Sequence, residues 1–378
     1  MKILIDGRLY GLENAGLGRY QINLIAELAK IDVKNDYILL LRKKYFDTLK
    51  LPKNWKKVLA DFRHYSLYEQ VKLPGLINKE NPDLVHFPHF NVPIFYRGKF
   101  IVTIHDMLMH DFAGLSASTL PGPLYLFKQA VYKFVFRRAV FASFRIIVPS
   151  YAVKEGLKKY YNIPDSKIEI IYEGFDKRIV QGETKVNSPY FIYVGNAYPH
   201  KNLDRLVETT VLLNKNSDKK MMLLIASARD VFISRLEEVI DKFGASQFVK
   251  LLGFVSDEKL GGLFKNSIAF VFPSLSEGFG LPGLEAISSG TLLLASQIPV
   301  FREIYGKNAI YFNPLDISSI EKAMKNALEM DTQERRRRIE EGQKFSKRYS
   351  WVKMAKEALE IYEEAIKKES SDNIRQSK

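Results

Sequence analysis

The chain has 378 residues, enough for two ordinary domains, and its 46% hydrophobic and 26% charged residues give the balance of a soluble globular protein. It has no cysteine, which excludes disulfides, thiolate metal sites and a cysteine nucleophile. The formal charge of +14 is uneven: residues 1–182 hold 28 Lys and Arg against 17 Asp and Glu, a net +11 that suits an anionic partner such as a phosphorylated acceptor or an acidic membrane surface, or serves solubility alone.

The run from Met1 to Asp6 ends at a carboxylate, too soon for a secretory signal, and reads instead as a first strand, Lys2–Asp6. Strands Tyr37–Leu41, Asp83–Phe87, Phe100–His105 and Arg145–Val148 follow, separated by helices Gly18–Lys30, Leu67–Asn78 and Leu124–Phe141. The most apolar stretch, Phe134 to Val148, carries Arg137, Arg138 and Arg145 and does not read as a membrane span. Asp176 to Pro189 is polar and reads as a linker.

A second alternating series begins there. Its strands are expected at Tyr190–Gly195, Met221–Ala226, Phe248–Leu252, Ile268–Phe272 and Thr291–Ala295. Its helices are expected at Asn202–Asn214, Val231–Phe243, Asp257–Lys265 and Asp316–Glu329. Such alternation makes an α/β fold of two parallel sheets, each covered by helices. Arg335 to Arg338 read as a solvated helix face, and Ser350 as the cap of a last helix, Trp351 to Lys367, before a frayed polar tail. The domain expectation is therefore 1–182, 183–348 and a C-terminal helix with its tail, 349–378. No zinc-finger spacing or RNP-like pattern points to nucleic acid.

Four segments carry chemistry. After the strand Ile268–Phe272, Glu277-Gly278-Phe279-Gly280-Leu281-Pro282 opens a helix that contains Glu285. A Gly-rich loop entering a helix presents bare N–H groups and a positive dipole end, a natural phosphate seat. The two flanking glutamates can accept sugar and ribose hydroxyls. Gly195-Asn196-Ala197-Tyr198-Pro199-His200-Lys201-Asn202 leaves the next domain's first strand, and Lys201 stands where an ammonium can meet a diphosphate. Gly16-Leu17-Gly18-Arg19 follows the first strand as a loop that lets backbone approach a ligand. His105-Asp106 ends the Phe100–His105 strand, where open α/β sheets line their ligand cleft; His86, His89, His110 and His200 rank below it. No Asp-x-Asp pair stands at a strand end to hold a metal.

Glu277 and Glu285, with seven residues between them, together with Pro273-Ser274, Ala286 and Gly290, resemble the E-x7-E motif of the retaining GT-B glycosyltransferases of family four. The resemblance runs over nearly the whole chain. It implies two Rossmann-like domains facing across a cleft, with the C-terminal helix returning to the first. It also implies Glu277 at the donor sugar, Gly278, Phe279, Gly280 and Leu281 at sugar and diphosphate, and Glu285 at ribose. Lys201 would meet the diphosphate, Gly16 and Gly18 would approach it, and His105 would lie by the sugar and help to orient the acceptor. Asn196 departs from the family's Arg at that position, a departure shared by a subgroup with "PHKN" sequences that resembles bacterial mannosyltransferases of surface polysaccharide assembly. The implied ligands are a nucleotide-sugar donor, GDP-mannose ahead of a UDP-sugar, and a glycan or lipid-linked glycan acceptor, with no metal and no other cofactor. The absence of cysteine fits a cytoplasmic place. The basic first half, with the aromatic and cationic run Leu124–Arg145, suits either a core helix with a basic outer edge or peripheral contact at the inner face of an anionic membrane. A catalytically silent GT-B scaffold and a GT-B epimerase or phosphorylase are the alternatives.

Overall fold

The computed structural model describes residues 1–112, 122–175, 186, 188–215, 220–227 and 232–376, with side chains through 367. The linker expected at Asp176 to Pro189 and the helix start expected at Val231 fall largely outside these residues. The chain divides into two compact units. One comprises Met1–Met107, Ser118–Gly174 and Ser350–Lys378, and the other Leu108–Ala117 and Phe175–Tyr349.

The first unit holds a seven-stranded sheet: β1 (Lys2–Asp6), β2 (Asp36–Leu41), β3 (Trp55–Leu59), β4 (Leu84–Phe87), β5 (Phe100–Thr103), β6 (Arg145–Val148) and β7 (Ile168–Ile170). Their order is β3-β2-β1-β4-β5-β6-β7, and every pairing is parallel. Helices on the faces of a parallel sheet bury both sides of its central strands, so β4 and β5 are buried at every position. The strands without a sequence signal, β3 and β7, are the sheet edges: Lys56 and Lys57 interrupt one, and the other is three residues long. Such strands are legible only from their partners, here Trp55 stacked on Tyr37 of β2 at 4.2 Å.

The C-terminal helix, Trp351–Gln376, belongs to this first unit and runs on past Lys367, where the sequence suggested fraying. Met354, Ala355, Ala358, Tyr362 and Ala365 are fully buried. The Tyr362 hydroxyl meets His86 Nδ1 at 2.7 Å, and His86 Nε2 meets Thr103 Oγ1 at 2.8 Å. His86 sits in a central strand between apolar neighbours, and those two hydroxyls satisfy its ring. Burial pushes its pKa down to about 3 and keeps it neutral.

The second unit holds six parallel strands: β8 (Tyr190–Val194), β9 (Met222–Ala226), β10 (Val249–Leu251), β11 (Ala269–Phe272), β12 (Leu292–Ser296) and β13 (Ile310–Phe312). The order is β10-β9-β8-β11-β12-β13. In each sheet the chain builds outward from its first strand and then returns to that strand's other side. The switch points therefore lie between β1 and β4 and between β8 and β11, where open α/β sheets bind ligands.

Candidate functional site

The second unit's switch point is built from the two loops that leave β8 and β11. The first turns at Gly195 (φ +147°) and ends in a 3-10 turn, Pro199–Lys201, closed by Asn202 in the left-handed region (φ +60°). The Asn202 amide donates to Pro273 O at 3.1 Å and to Pro314 O at 2.8 Å. The backbone N–H of Leu275 donates to His200 O at 2.8 Å. These bonds tie the two loops together and put Lys201 beside Glu277: Lys201 Nζ meets Glu277 Oε1 at 2.5 Å, and both side chains are 13% exposed. Ser274 Oγ donates to the same oxygen at 2.8 Å. Asn202 and Ser274, which stood in the sequence motifs without a role of their own, thus hold the pair in place.

Gly278, Phe279, Gly280 and Leu281 follow, all buried, and lead into the helix Leu281–Ser288. Gly280 has φ +96°, and a Cβ there would lie 2.2 Å from the Tyr305 hydroxyl. Only glycine fits that conformation and that space. Tyr305, fully buried, donates from its hydroxyl to Gly280 O at 2.6 Å. Burial, then the Glu277 charge, raises its pKa well above the ordinary tyrosine value, so the hydroxyl stays a donor. A Cβ at Gly283 would meet the same hydroxyl at 2.3 Å and the ring carbon that bears it at 2.5 Å. Phe279 packs edge-on against Tyr349 at 5.6 Å. The first helical N–H groups are thereby fixed in direction beside Glu277, and their partial positive charge favours an anion. Glu285, 4% exposed, sits one turn further along.

Asn196 follows Gly195 in the β8 loop, and its Oδ1 is buried without a hydrogen-bond partner among the described residues. His200 does not replace the missing cation, because burial, then the neighbouring Lys201 charge, lowers its pKa to about 3.

His105, Gly16 and Gly18 belong to the first unit. His105 lies just beyond β5, with Nε2 3.1 Å from Pro88 O and Nδ1 3.2 Å from Glu173 Oε1. Tyr20 packs edge-on to its ring at 4.7 Å. The helix expected from Gly18 to Lys30 begins earlier and spans Ala15–Ile31, so Gly16 lies in the helix with Gly18 and not in a loop before it. A Cβ at Gly18 would fall 1.8 Å from Gly11 O, so this glycine permits close packing of the preceding turn. A Cβ at Gly16 would meet nothing within 4 Å.

The first unit's switch point carries a cluster that the sequence reading missed. Arg8, after β1, makes two 2.7 Å bonds to Asp6 and a third to Glu69, and Asn91 donates to both Glu69 oxygens at 2.9 Å. Burial opposes these charges, but pairing outweighs it: Asp6 is held below its ordinary pKa and Arg8 above its own. The cluster clamps the loops after β1 and β4 to the start of the helix Leu67–Glu80. Residues this far apart show no spacing signal.

Among the described residues, no three His, Asp or Glu are grouped to hold a metal ion, and no helix is long and apolar enough to cross a membrane.

Two Rossmann-like units in series, the second with a Gly-rich loop and helix start at its switch point, define a protein of the GT-B class. Residues 15–178 match the model for Glycosyltransferase Family 4 and residues 175–345 that for Glycosyl transferases group 1. The chain belongs to this glycosyltransferase family and is an enzyme that transfers a sugar. It is 28% identical over 328 residues to the O-antigen chain mannosyltransferase RfbU of Salmonella typhimurium, covering 84% of this chain and 88% of that one. It is 28% identical over 173 residues to an O-antigen chain mannosyltransferase B of Escherichia coli, covering 46% and 45%. The fold is similar to that of a sucrose-phosphate synthase from Thermosynechococcus elongatus, with a TM-score of 0.76 at 16% identity over 96% of this chain and 98% of that one.

Proposed function

We propose that the chain moves mannose from GDP-mannose to a hydroxyl of a surface glycan or lipid-linked glycan, with retention at the anomeric carbon. The observation that carries this reading is the Lys201–Glu277 pair at the head of the buried Gly278–Leu281 loop. The choice of mannose and of a surface glycan rests on the mannosyltransferases to which the chain is similar.

In this reading the loop N–H groups and Lys201 hold the diphosphate, Glu285 holds the ribose, and Glu277 stands by the sugar's anomeric carbon. Asn196 offers an amide where the family places a second cation. His105, fixed by Pro88 and Glu173, supports the acceptor side on the first unit. As the bond from the anomeric carbon to the phosphate oxygen breaks, positive charge grows on the sugar and negative charge on the leaving diphosphate. Glu277 opposes the first and Lys201 the second. An ammonium and a hydroxyl bound to one carboxylate oxygen make Glu277 a weak nucleophile, which favours the front-face route over a covalent intermediate. The acceptor oxygen then bonds to the anomeric carbon on the face that the diphosphate leaves, and its proton passes to the departing phosphate oxygen.

The enzyme works at the inner face of an anionic membrane, a reading supported by the net +11 of residues 1–182. The test is a melting-temperature panel with GDP, UDP and their sugars, followed by NMR assignment of the product's anomeric configuration. A ligand that binds only the folded chain raises its melting point by mass action. No shift with any nucleotide, or an inverted product, overturns the reading.

A further inference from the structure

The helix Gly122–Ala142 buries one stripe, Tyr125, Val135, Phe136, Ala139 and Val140, and leaves its other apolar face open. At 100° per residue, Phe127, Ala130, Val131, Phe134 and Phe141 fall within one arc of about 100°, which also holds the half-buried Arg138, its guanidinium bonded to the neighbouring loop. Phe127 is 66% exposed and Phe134 60%. Exposed Lys133 and Arg137 lie along one edge of that arc and exposed Lys128 beyond the other, and the helix has no Asp or Glu. A helix directs its largest apolar residues inward unless something else covers them.

The apolar surface continues beyond this helix. The loop at 94–96 is bound to it by Arg138, whose guanidinium donates to Ile94 O at 3.3 Å and to Tyr96 O at 2.6 Å. On its other side the Ile94 N–H donates to Gln70 Oε1 at 2.7 Å, which ties it to the helix Leu67–Glu80. Phe95 at the loop and Leu67, Tyr68 and Val71 on that helix are all exposed, and Leu67 reaches 87%.

We infer that these two helix faces and Phe95 form a seat for an anionic bilayer, with the aromatic rings in the headgroup boundary and Lys128, Lys133 and Arg137 on the lipid phosphates. Rings with cations at their edge are the composition of a helix that lies in the membrane plane. A second copy fits the face poorly, because a two-fold contact would set these cations against their own kind. An acidic protein would satisfy the charges but not the apolar strip between them. The inference deepens the reading above by naming its partner surface, and it rests on that reading only for the purpose of the contact.

The test is co-sedimentation of the full chain with phosphatidylglycerol–phosphatidylcholine vesicles and with phosphatidylcholine alone, at low and high salt. Wild type pellets with the anionic vesicles at low salt and is released by high salt. The double variant Phe127→Glu, Phe134→Glu binds roughly tenfold more weakly or worse, and each of Lys128→Gln, Lys133→Gln and Arg137→Gln loses about fivefold. All of these sites are exposed, so melting temperatures stay at the wild-type value and confirm that the variants fold. No pelleting of wild type at low salt, or equal pelleting of the double variant, overturns the inference. A wild-type dimer abolished by the Phe pair, without vesicle binding, assigns the face to a second copy and equally overturns it. Sugar transfer to a water-soluble acceptor is assayed in parallel and is unchanged in the variants. Its absence in wild type sinks the reading of the transfer site and leaves the vesicle result standing.

Discussion

Lys201 Nζ and Glu277 Oε1 lie 2.5 Å apart across 76 positions of sequence, on loops that leave adjacent parallel strands. The two loops are already bound by the Asn202 amide to Pro273 O and by the Leu275 N–H to His200 O. The pair is therefore part of a fixed scaffold. Each residue orients the other, and removing either leaves a mostly buried charge without its partner.

Glu277→Gln tests the carboxylate with little change of shape. The amide oxygen can still accept from Ser274 and Lys201, so the expected loss of stability is modest, about 1–3 kcal/mol. The expected loss of kcat is large, about 100- to 1,000-fold, because in the proposed reaction the charge acts on the transition state. Steady-state turnover and a thermal melt separate the two effects. A kcat within a few-fold of wild type removes Glu277 from the chemistry.

Much of the frame of this site was legible in sequence, because it is local. Central strands such as β1 and β11 are short apolar runs, and Gly280 before Leu281-Pro282 marks a helix start. The supports were not legible. Tyr305 reaches Gly280 from 25 positions away, and Arg8 reaches Glu69 across 61. Such contacts depend on which strands become neighbours, and no periodicity reports that. The helix start at Ala15 was missed for a related reason: Gly16 and Gly18 have poor helix propensity, and tertiary packing overrides it, visibly at Gly18 against Gly11.

Lys201→Ala and Glu285→Ala should part company in a calorimetric titration with GDP. Glu285→Ala removes the proposed ribose acceptor, so affinity falls about tenfold while kcat at saturation is largely kept. Lys201→Ala removes the cation proposed for the diphosphate and also releases Glu277, so affinity and kcat both fall. Wild-type affinity in both variants means that the nucleotide binds elsewhere.

Tyr305→Phe removes one buried hydrogen bond to Gly280 O, an expected cost of about 1–2 kcal/mol. Gly280→Ala costs more, because its Cβ meets both an unfavourable φ and the Tyr305 hydroxyl. In the double variant the clash with the hydroxyl is relieved, while the φ and the approach to Phe301 Cε1 at 2.9 Å remain, so the two losses are less than additive by about 1 kcal/mol. Urea unfolding of the four proteins measures this coupling, and strict additivity contradicts the contact.

Turnover should survive EDTA. The proposed diphosphate seat has Lys201 and helix N–H groups to meet the charge, and among the described residues no three carboxylates or histidines are grouped to hold a divalent ion. Loss of activity on chelation, restored by Mg²⁺ or Mn²⁺, contradicts a seat that works through these groups alone.

The last prediction concerns acid stability and rests on His86. In the folded chain burial holds its pKa near 3, against an ordinary value of 6.5, while Tyr362 and Thr103 satisfy the neutral ring. Between those values the unfolded chain binds a proton that the folded chain does not. Stability is therefore at its full value above about pH 6.5, declines as pH falls, and stops declining from this source near pH 3. The whole span corresponds to about 5 kcal/mol at roughly 1.4 kcal/mol per pH step. His200 in the second unit and His89 and His64 in the first have the same direction and add to the slope, so His86 accounts for one part of it. Asp6, held below its ordinary value of 3.8, titrates at lower pH, so the interval from about pH 6.5 to 5 isolates the histidines. His86→Gln keeps a neutral polar group between Tyr362 and Thr103 but cannot take up the proton. Its stability at pH 7.5 is lower than wild type, and its decline toward pH 5 is shallower by about one proton. Urea unfolding across that interval gives both slopes. If the wild-type curve is flat there, or the variant declines as steeply, His86 is not the group that carries the acid sensitivity.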